Sequence, residues 1–146
     1  MIADPRTASE PLAVVHRLQA STNAHDLDAL VDCFTADYLS EIPLHPSRSF
    51  RGSEQVRRNW GQILAGVPDL RSELVRYAID GNVVWAEWEW TGTRRDGASH
   101  LMRGTTILGV EGERIARARF YMEPVVDDGA RIDAAVAQAF APGSDR

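Results

Sequence analysis

The chain has 146 residues, of which 44% are hydrophobic, which is enough for one ordinary domain with a real core and too few for two. A formal net charge of −5, with the 16 Lys and Arg scattered along the chain, leaves no basic face for phosphates and argues against nucleic acid as a partner. The single cysteine, Cys33, allows no intrachain disulfide, and no stretch approaches the roughly 20 apolar residues of a membrane span; a soluble, cytoplasmic protein with no membrane contact is expected.

Residues 1–11 are polar and read as a flexible N-terminus. Leu12, Val15 and Leu18 then recur at helical spacing, and this first helix ends near Asn23. Asp26 is placed to cap a second helix, in which Leu27, Leu30, Val31 and Phe34 make one apolar stripe. The run from Tyr38 to Ile42 alternates and stops at Pro43, as a short strand does, and 46–49 reads as a turn. Ser53 is expected to cap a third helix whose face carries Val56, Trp60, Ile63, Leu64 and Val67, closed by Gly66 and Pro68.

From there the period becomes alternating, and turn signals at Asp80-Gly81, Arg95-Asp96-Gly97 and Glu111-Gly112 divide the chain into strands near 70–79, 82–93, 99–110 and 114–123. The expected fold class is therefore α+β: a curved antiparallel sheet wrapped over three N-terminal helices, in a single domain spanning 12–124. The tail, 125–146, holds Ile132, Val136 and Phe140 at i, i+4 and i+8, a short amphipathic helix that packs on the body or on a second subunit.

His16, His25, His45 and His100 form no HxH or HExxH pattern, so no metal site is expected, and no cofactor motif is present. Cys33 reads as a small buried hydrophobe.

The stretch from Val14 to Phe34, with Asn23-Ala24-His25-Asp26-Leu27-Asp28 at its middle, resembles the helix hairpin of ketosteroid isomerases. Phe50-Arg51-Gly52, the run Trp88 to Thr93 and Gly112-Glu113-Arg114-Ile115 resemble features of SnoaL-like proteins. This resemblance covers roughly 12–124 and implies the cone-shaped fold shared by ketosteroid isomerases, limonene epoxide hydrolases, SnoaL-like polyketide cyclases and nuclear transport factor 2. It carries few catalytic groups across. The positions matching the isomerase tyrosine, general-base aspartate and protonated aspartate are Leu18, Ile42 and Thr105. The epoxide-hydrolase Arg-x-Asp pair reads Arg103-Gly104-Thr105, and the water-activating aspartate matches Phe120.

Taking Thr105 as inward, as the resemblance implies, period-two alternation brings in Arg103 and Ile107, and on the neighbouring strand Trp85, Glu87, Glu89 and Thr91. Glu87 and Glu89 then become candidate proton carriers and Arg103 the anion stabiliser. The alternative is a wet face on which the glutamates make cross-strand ion pairs with arginines. Candidate ligand contacts are Leu18, Tyr38, Ile42, Trp60, Trp85, Thr105, Ile107, Phe120 and Met122. Glu123, expected at the cone mouth, has Arg117 and Arg119 as prospective partners. His45 and His100 lie near strand ends, where a general base can sit but a solvated histidine is the simpler reading.

Two functions follow. One is a cofactor-free acid–base enzyme of isomerase, cyclase, dehydratase or hydrolase type, acting on a small hydrophobic organic ligand. The other is a non-catalytic ligand-binding or dimerisation protein of the same fold. With Trp88 and Trp90 assigned to the outer face, a homodimer through that face or the C-terminal helix is expected.

Overall fold

The computed structural model describes residues 10–143. The described residues begin with two helices, α1 (Glu10–Asn23) and the five-residue α2 (Leu27–Val31), followed by β1 (Phe34–Glu41). A 3₁₀ turn (Pro46–Arg48) and the two-residue β2 (Phe50–Arg51) lead into α3 (Ser53–Gly66). Then come β3 (Arg71–Asp80), β4 (Val83–Thr93), β5 (Ser99–Glu111), β6 (Arg114–Pro124) and α4 (Ile132–Ala139). The strands form one six-stranded sheet in the order β2-β1-β6-β5-β4-β3. The expected meander is β3 to β6, antiparallel throughout, and β1 adds to β6 in parallel, which makes the sheet mixed.

Three local expectations are corrected. Phe34 is not the last turn of the second helix but the first residue of β1, because Cys33 O accepts a hydrogen bond from Ile115 N at 2.8 Å and the chain passes straight into pairing with β6. The cap of α3 is Gly52 and not Ser53. Gly52 has φ 100°, a conformation that glycine adopts without a Cβ penalty, and its N–H donates to Tyr38 O. Asp26, by contrast, caps α2 as the sequence suggests, accepting from Ala29 N at 3.1 Å.

The third correction concerns the sheet faces. Trp88 and Trp90 are 3% and 7% exposed and join the core, while Trp85 is 48% exposed on the opposite face. The outer face therefore lacks the adjacent tryptophans from which a dimer was expected. α4 is present, but Ile132, Val136 and Phe140 are all exposed rather than buried against the described body. No helix described is long and apolar enough to cross a membrane.

The core lies between the concave face and the helices, with Val14, Val15 and Leu30 against Val84, Ala86, Leu108, Ile115 and Ala118. One side chain ties the two layers together. Asn23, at the end of α1, accepts from Ser72 N at 2.7 Å and donates to Ser72 O at 3.0 Å, acting as a surrogate strand partner for the edge strand β3. Gln19, one turn earlier, accepts from Leu74 N at 2.6 Å.

Removing the Asn23 amide strands both backbone groups of the buried Ser72, so Asn23→Ala should cost about 2 kcal/mol in urea unfolding, against about 1 kcal/mol for loss of the Asp26 cap in Asp26→Ala. Equal small losses in the two variants would show that the amide does not hold α1 to β3.

Candidate functional site

The concave face and helices enclose a cavity of about 440 Å³. Its deep wall is built from buried residues, among them Phe34 and Tyr38 of β1, Trp88 and Trp90 of β4, Thr106 and Leu108 of β5 and Ala118 of β6. The half-buried Leu18, Ile42, Trp60, His100, Met102 and Phe120 complete it toward solvent. Aromatic rings dominate. Trp90 stands edge-on to Trp60 at 5.3 Å and tilted to Phe120 at 5.9 Å between centroids. Tyr38 packs edge-on against Phe34 at 4.7 Å and Phe50 at 6.0 Å.

Of the residues singled out in the sequence, Leu18, Tyr38, Ile42, Trp60 and Phe120 line this cavity. Met122 shares the inner face and is buried, but does not line it. The strand parity on β4 and β5 is the reverse of that expected. Trp85, Glu87, Glu89, Arg103, Thr105 and Ile107 belong to the outer face, and Val84, Ala86, Trp88, Trp90, Thr106 and Leu108 to the inner one. Burial of the more apolar face decides this: the inner set carries two tryptophans and no charge.

The glutamates instead make surface ion pairs, Glu89 with Arg103 at 2.8 Å and Glu87 with Arg76 at 2.9 Å. Glu123 pairs with His45 at 2.9 Å, and Arg119 with Glu41 at 3.3 Å, so neither Arg117 nor Arg119 is the Glu123 partner. Among the described residues no carboxylate, lysine or arginine lines the cavity. Among the described residues no group of three or more His, Cys, Asp or Glu is placed to hold a metal ion.

The polar groups that remain are neutral. Burial pushes the Tyr38 phenol up to about 12, partly offset by the Ser40 hydroxyl beside it, so it stays protonated across the physiological range. Trp88 Nε1 donates to Thr106 Oγ1 at 2.8 Å, a fully buried bond. Thr22 Oγ1 is engaged by Leu18 O at 2.7 Å. Burial, with Arg94 adding to it, lowers the His100 imidazole below its ordinary 6.5. His100 is thus a cavity residue that the sequence reading assigned to solvent. Its parity with Met102, Thr106 and Leu108 would have placed it inside once the apolar face of β4 was taken as the inner one.

Two results should follow. Glu87→Gln and Glu89→Gln break exposed pairs and should each change stability by less than about 1 kcal/mol while leaving ligand uptake intact; a loss of ligand uptake would return these carboxylates to the site. For His100 the folded-state value lies below the unfolded one, so its contribution is complete above about pH 6.5 and is lost as the pH falls through the folded value. Melting curves between about pH 7.5 and 5 should fall more steeply for the native chain than for His100→Gln. Parallel curves would show that the imidazole is as readily protonated in the fold as outside it.

The sequence model for the SnoaL-like domain matches residues 15–118. A SnoaL-like protein from Jannaschia sp. CCS1, described as a proposed polyketide cyclase, superimposes with a TM-score of 0.69 at 17% identity, covering 84% of this chain and 91% of the other. Wild-type IdmH, a proposed polyketide cyclase from Streptomyces antibioticus, gives 0.68 at 19% identity over 77% and 91% of the two chains. A nuclear transport factor 2-like protein from Anabaena variabilis ATCC 29413 gives 0.68 at 17% identity over 84% and 95%. No curated protein is similar enough in sequence to count as a relative, and identities this low speak for the fold alone. With most of its length matched, the chain belongs to the SnoaL-like domain family.

Proposed function

We propose that this protein takes up a neutral, planar, largely apolar ring compound in the cavity between sheet and helices. The observation that carries this reading is the lining itself: seven aromatic side chains (Phe34, Tyr38, Phe50, Trp60, Trp88, Trp90 and Phe120) around about 440 Å³, with no charged group among them except a neutral-leaning His100. Pockets for small molecules run from about 300 to 1,000 Å³ and combine apolar walls with a few polar groups. A carboxylate or ammonium ligand would lose its hydration there without gaining a counter-charge, so the ligand is neutral.

A second reading, cofactor-free acid–base turnover on that ligand, is favoured by one feature. Tyr38 and His100 are titratable groups that line the same cavity, one a hydroxyl donor and the other an imidazole neutral at physiological pH. Related proteins described as proposed polyketide cyclases are in keeping with it. Turnover by the outer carboxylates has no support, because Glu87 and Glu89 stand outside the cavity.

The test is a thermal-shift and tryptophan-fluorescence titration with fused-ring aromatics such as naphthalene and phenanthrene derivatives. Binding should raise the melting temperature in proportion to log concentration above Kd and quench the cavity tryptophans. Ala118→Phe, which fills the cavity from β6, should abolish the ligand-induced rise while the unliganded protein still melts cooperatively. If the rings fail to bind the native chain, or bind Ala118→Phe equally well, the reading is wrong.

A further inference from the structure

Two buried nitrogen atoms on the cavity wall have no hydrogen-bond partner: Trp90 Nε1 and His100 Nε2. They are neighbours. In the β4–β5 register Trp90 faces Met102 and Gly92 faces His100, so Trp90 and His100 are diagonal on the inner face, with their side chains within mutual reach. Around Trp90 the neighbours are aromatic and aliphatic, while Arg94 stands beside His100 and Asp69 Oδ1 approaches Gly92. The Trp60 and Phe120 rings flank Trp90, Met102 stands opposite it, and a Cβ at Gly92 would meet Val67 Cγ1 at 2.4 Å, so closely does the end of α3 cover this corner.

Both groups are donors. An indole nitrogen can only donate. For His100, Arg94 Nη2 lies 3.5 Å from Nδ1, and a guanidinium has no lone pair to offer, so Nδ1 is the acceptor and the proton of the neutral ring sits on Nε2. Elsewhere in the cavity such groups are matched: the Trp88 indole has Thr106, and the Thr22 hydroxyl has Leu18 O. A buried N–H left unmatched is costly, and here two belong to diagonal neighbours on the inner face, at the edge of the cavity.

We propose that Trp90, seconded by His100, is the oxygen-recognition group of the cavity, so that the ligand is a ring compound carrying an acceptor oxygen, a ketone or quinone carbonyl, on its edge. This rests on the reading of the cavity as a ligand site. Met102 is the cover that gives way. It lies opposite Trp90 and two residues from His100, and its three rotatable bonds let it swing aside as the ligand enters. The carbonyl then satisfies donors that no protein atom satisfies, and hydrocarbons of the same shape gain the ring contacts without this bond.

The experiment compares 2-acetylnaphthalene, which carries an acceptor and no donor, with 2-ethylnaphthalene, which has neither. On the native chain, titration of ¹⁵N-labelled indoles should move the Trp90 Nε1–H resonance downfield with the acetyl compound and not with the ethyl compound. Trp90→Phe, which keeps a ring and removes the donor, identifies that resonance. It should lower the affinity ratio of acetyl over ethyl by about five- to tenfold, the worth of one neutral hydrogen bond, whatever the smaller ring does to the affinity of both compounds together. His100→Leu should lower the ratio by a smaller factor. If both compounds bind and the ratio survives Trp90→Phe, or the Trp90 resonance responds alike to both, the proposal is overturned and the cavity reading stands. If neither binds the native chain, the cavity reading falls and this proposal falls with it.

Discussion

Inside the cone, the Trp88 indole donates to the Thr106 hydroxyl at 2.8 Å, across the β4–β5 pair and away from water. That bond forms only when the even-numbered residues of both strands face the helices, and this choice of face determines the rest of the site. Burying Trp88 and Trp90 removes about 150–250 Å² each from water, worth roughly 8–12 kcal/mol together at 25 cal/mol per Å². The opposite parity would expose that surface and turn Glu87 and Glu89 into a low-dielectric interior with one arginine between them, at a cost of several kcal/mol per unpaired ion. Both terms favour the same face by margins far larger than any surface ion pair supplies.

The architecture was open to reading because its signals are local. Each turn between β3 and β6 falls at a glycine-containing pair or triplet, and the strand limits observed lie within a residue or so of those the turns predict. Asp26 announces α2 through a cap whose chemistry is self-contained. What escaped was set at long range. The parallel addition of β1 to β6 depends on Cys33 O meeting Ile115 N, more than 80 residues away in sequence. Nothing in the alternation of 34–41 names its partner, and the same contact converts Phe34 from helix to strand.

The site was legible where position on an element suffices. Leu18, Ile42 and Phe120, the positions that the resemblance to ketosteroid isomerases and epoxide hydrolases matches to catalytic groups, line the cavity with apolar side chains. Tyr38 and Trp60 follow from their own strand and helix. On β5 the resemblance anchored Thr105 inward, and a one-residue slip in such an anchor exchanges the two faces of a strand and of its neighbour. The chain's own pattern pointed the other way, since Val84, Ala86, Trp88 and Trp90 form the more apolar set. Gly104 adds to the difficulty: a Cβ there would lie 2.0 Å from Tyr121 O, so the inner face of β5 has a gap where a side chain would have marked it.

Reversal of that face changes the kind of chemistry the fold can host. With the carboxylates outside, no described residue of the cavity is charged at neutral pH, and its polar atoms are hydroxyls, the Asn59 and Gln62 amides, three indoles and one imidazole. In such surroundings hydrogen bonds are strong and charges are not tolerated, so the walls discriminate by shape and by the placement of single acceptor or donor atoms. A ligand that must become an oxyanion during reaction gains from donors aimed at the developing charge, and loses from the absence of a carboxylate able to take its proton. Binding therefore follows from the aromatic lining with no further assumption, whereas turnover requires Tyr38 or His100 to move a proton in a site where burial holds both in their neutral forms.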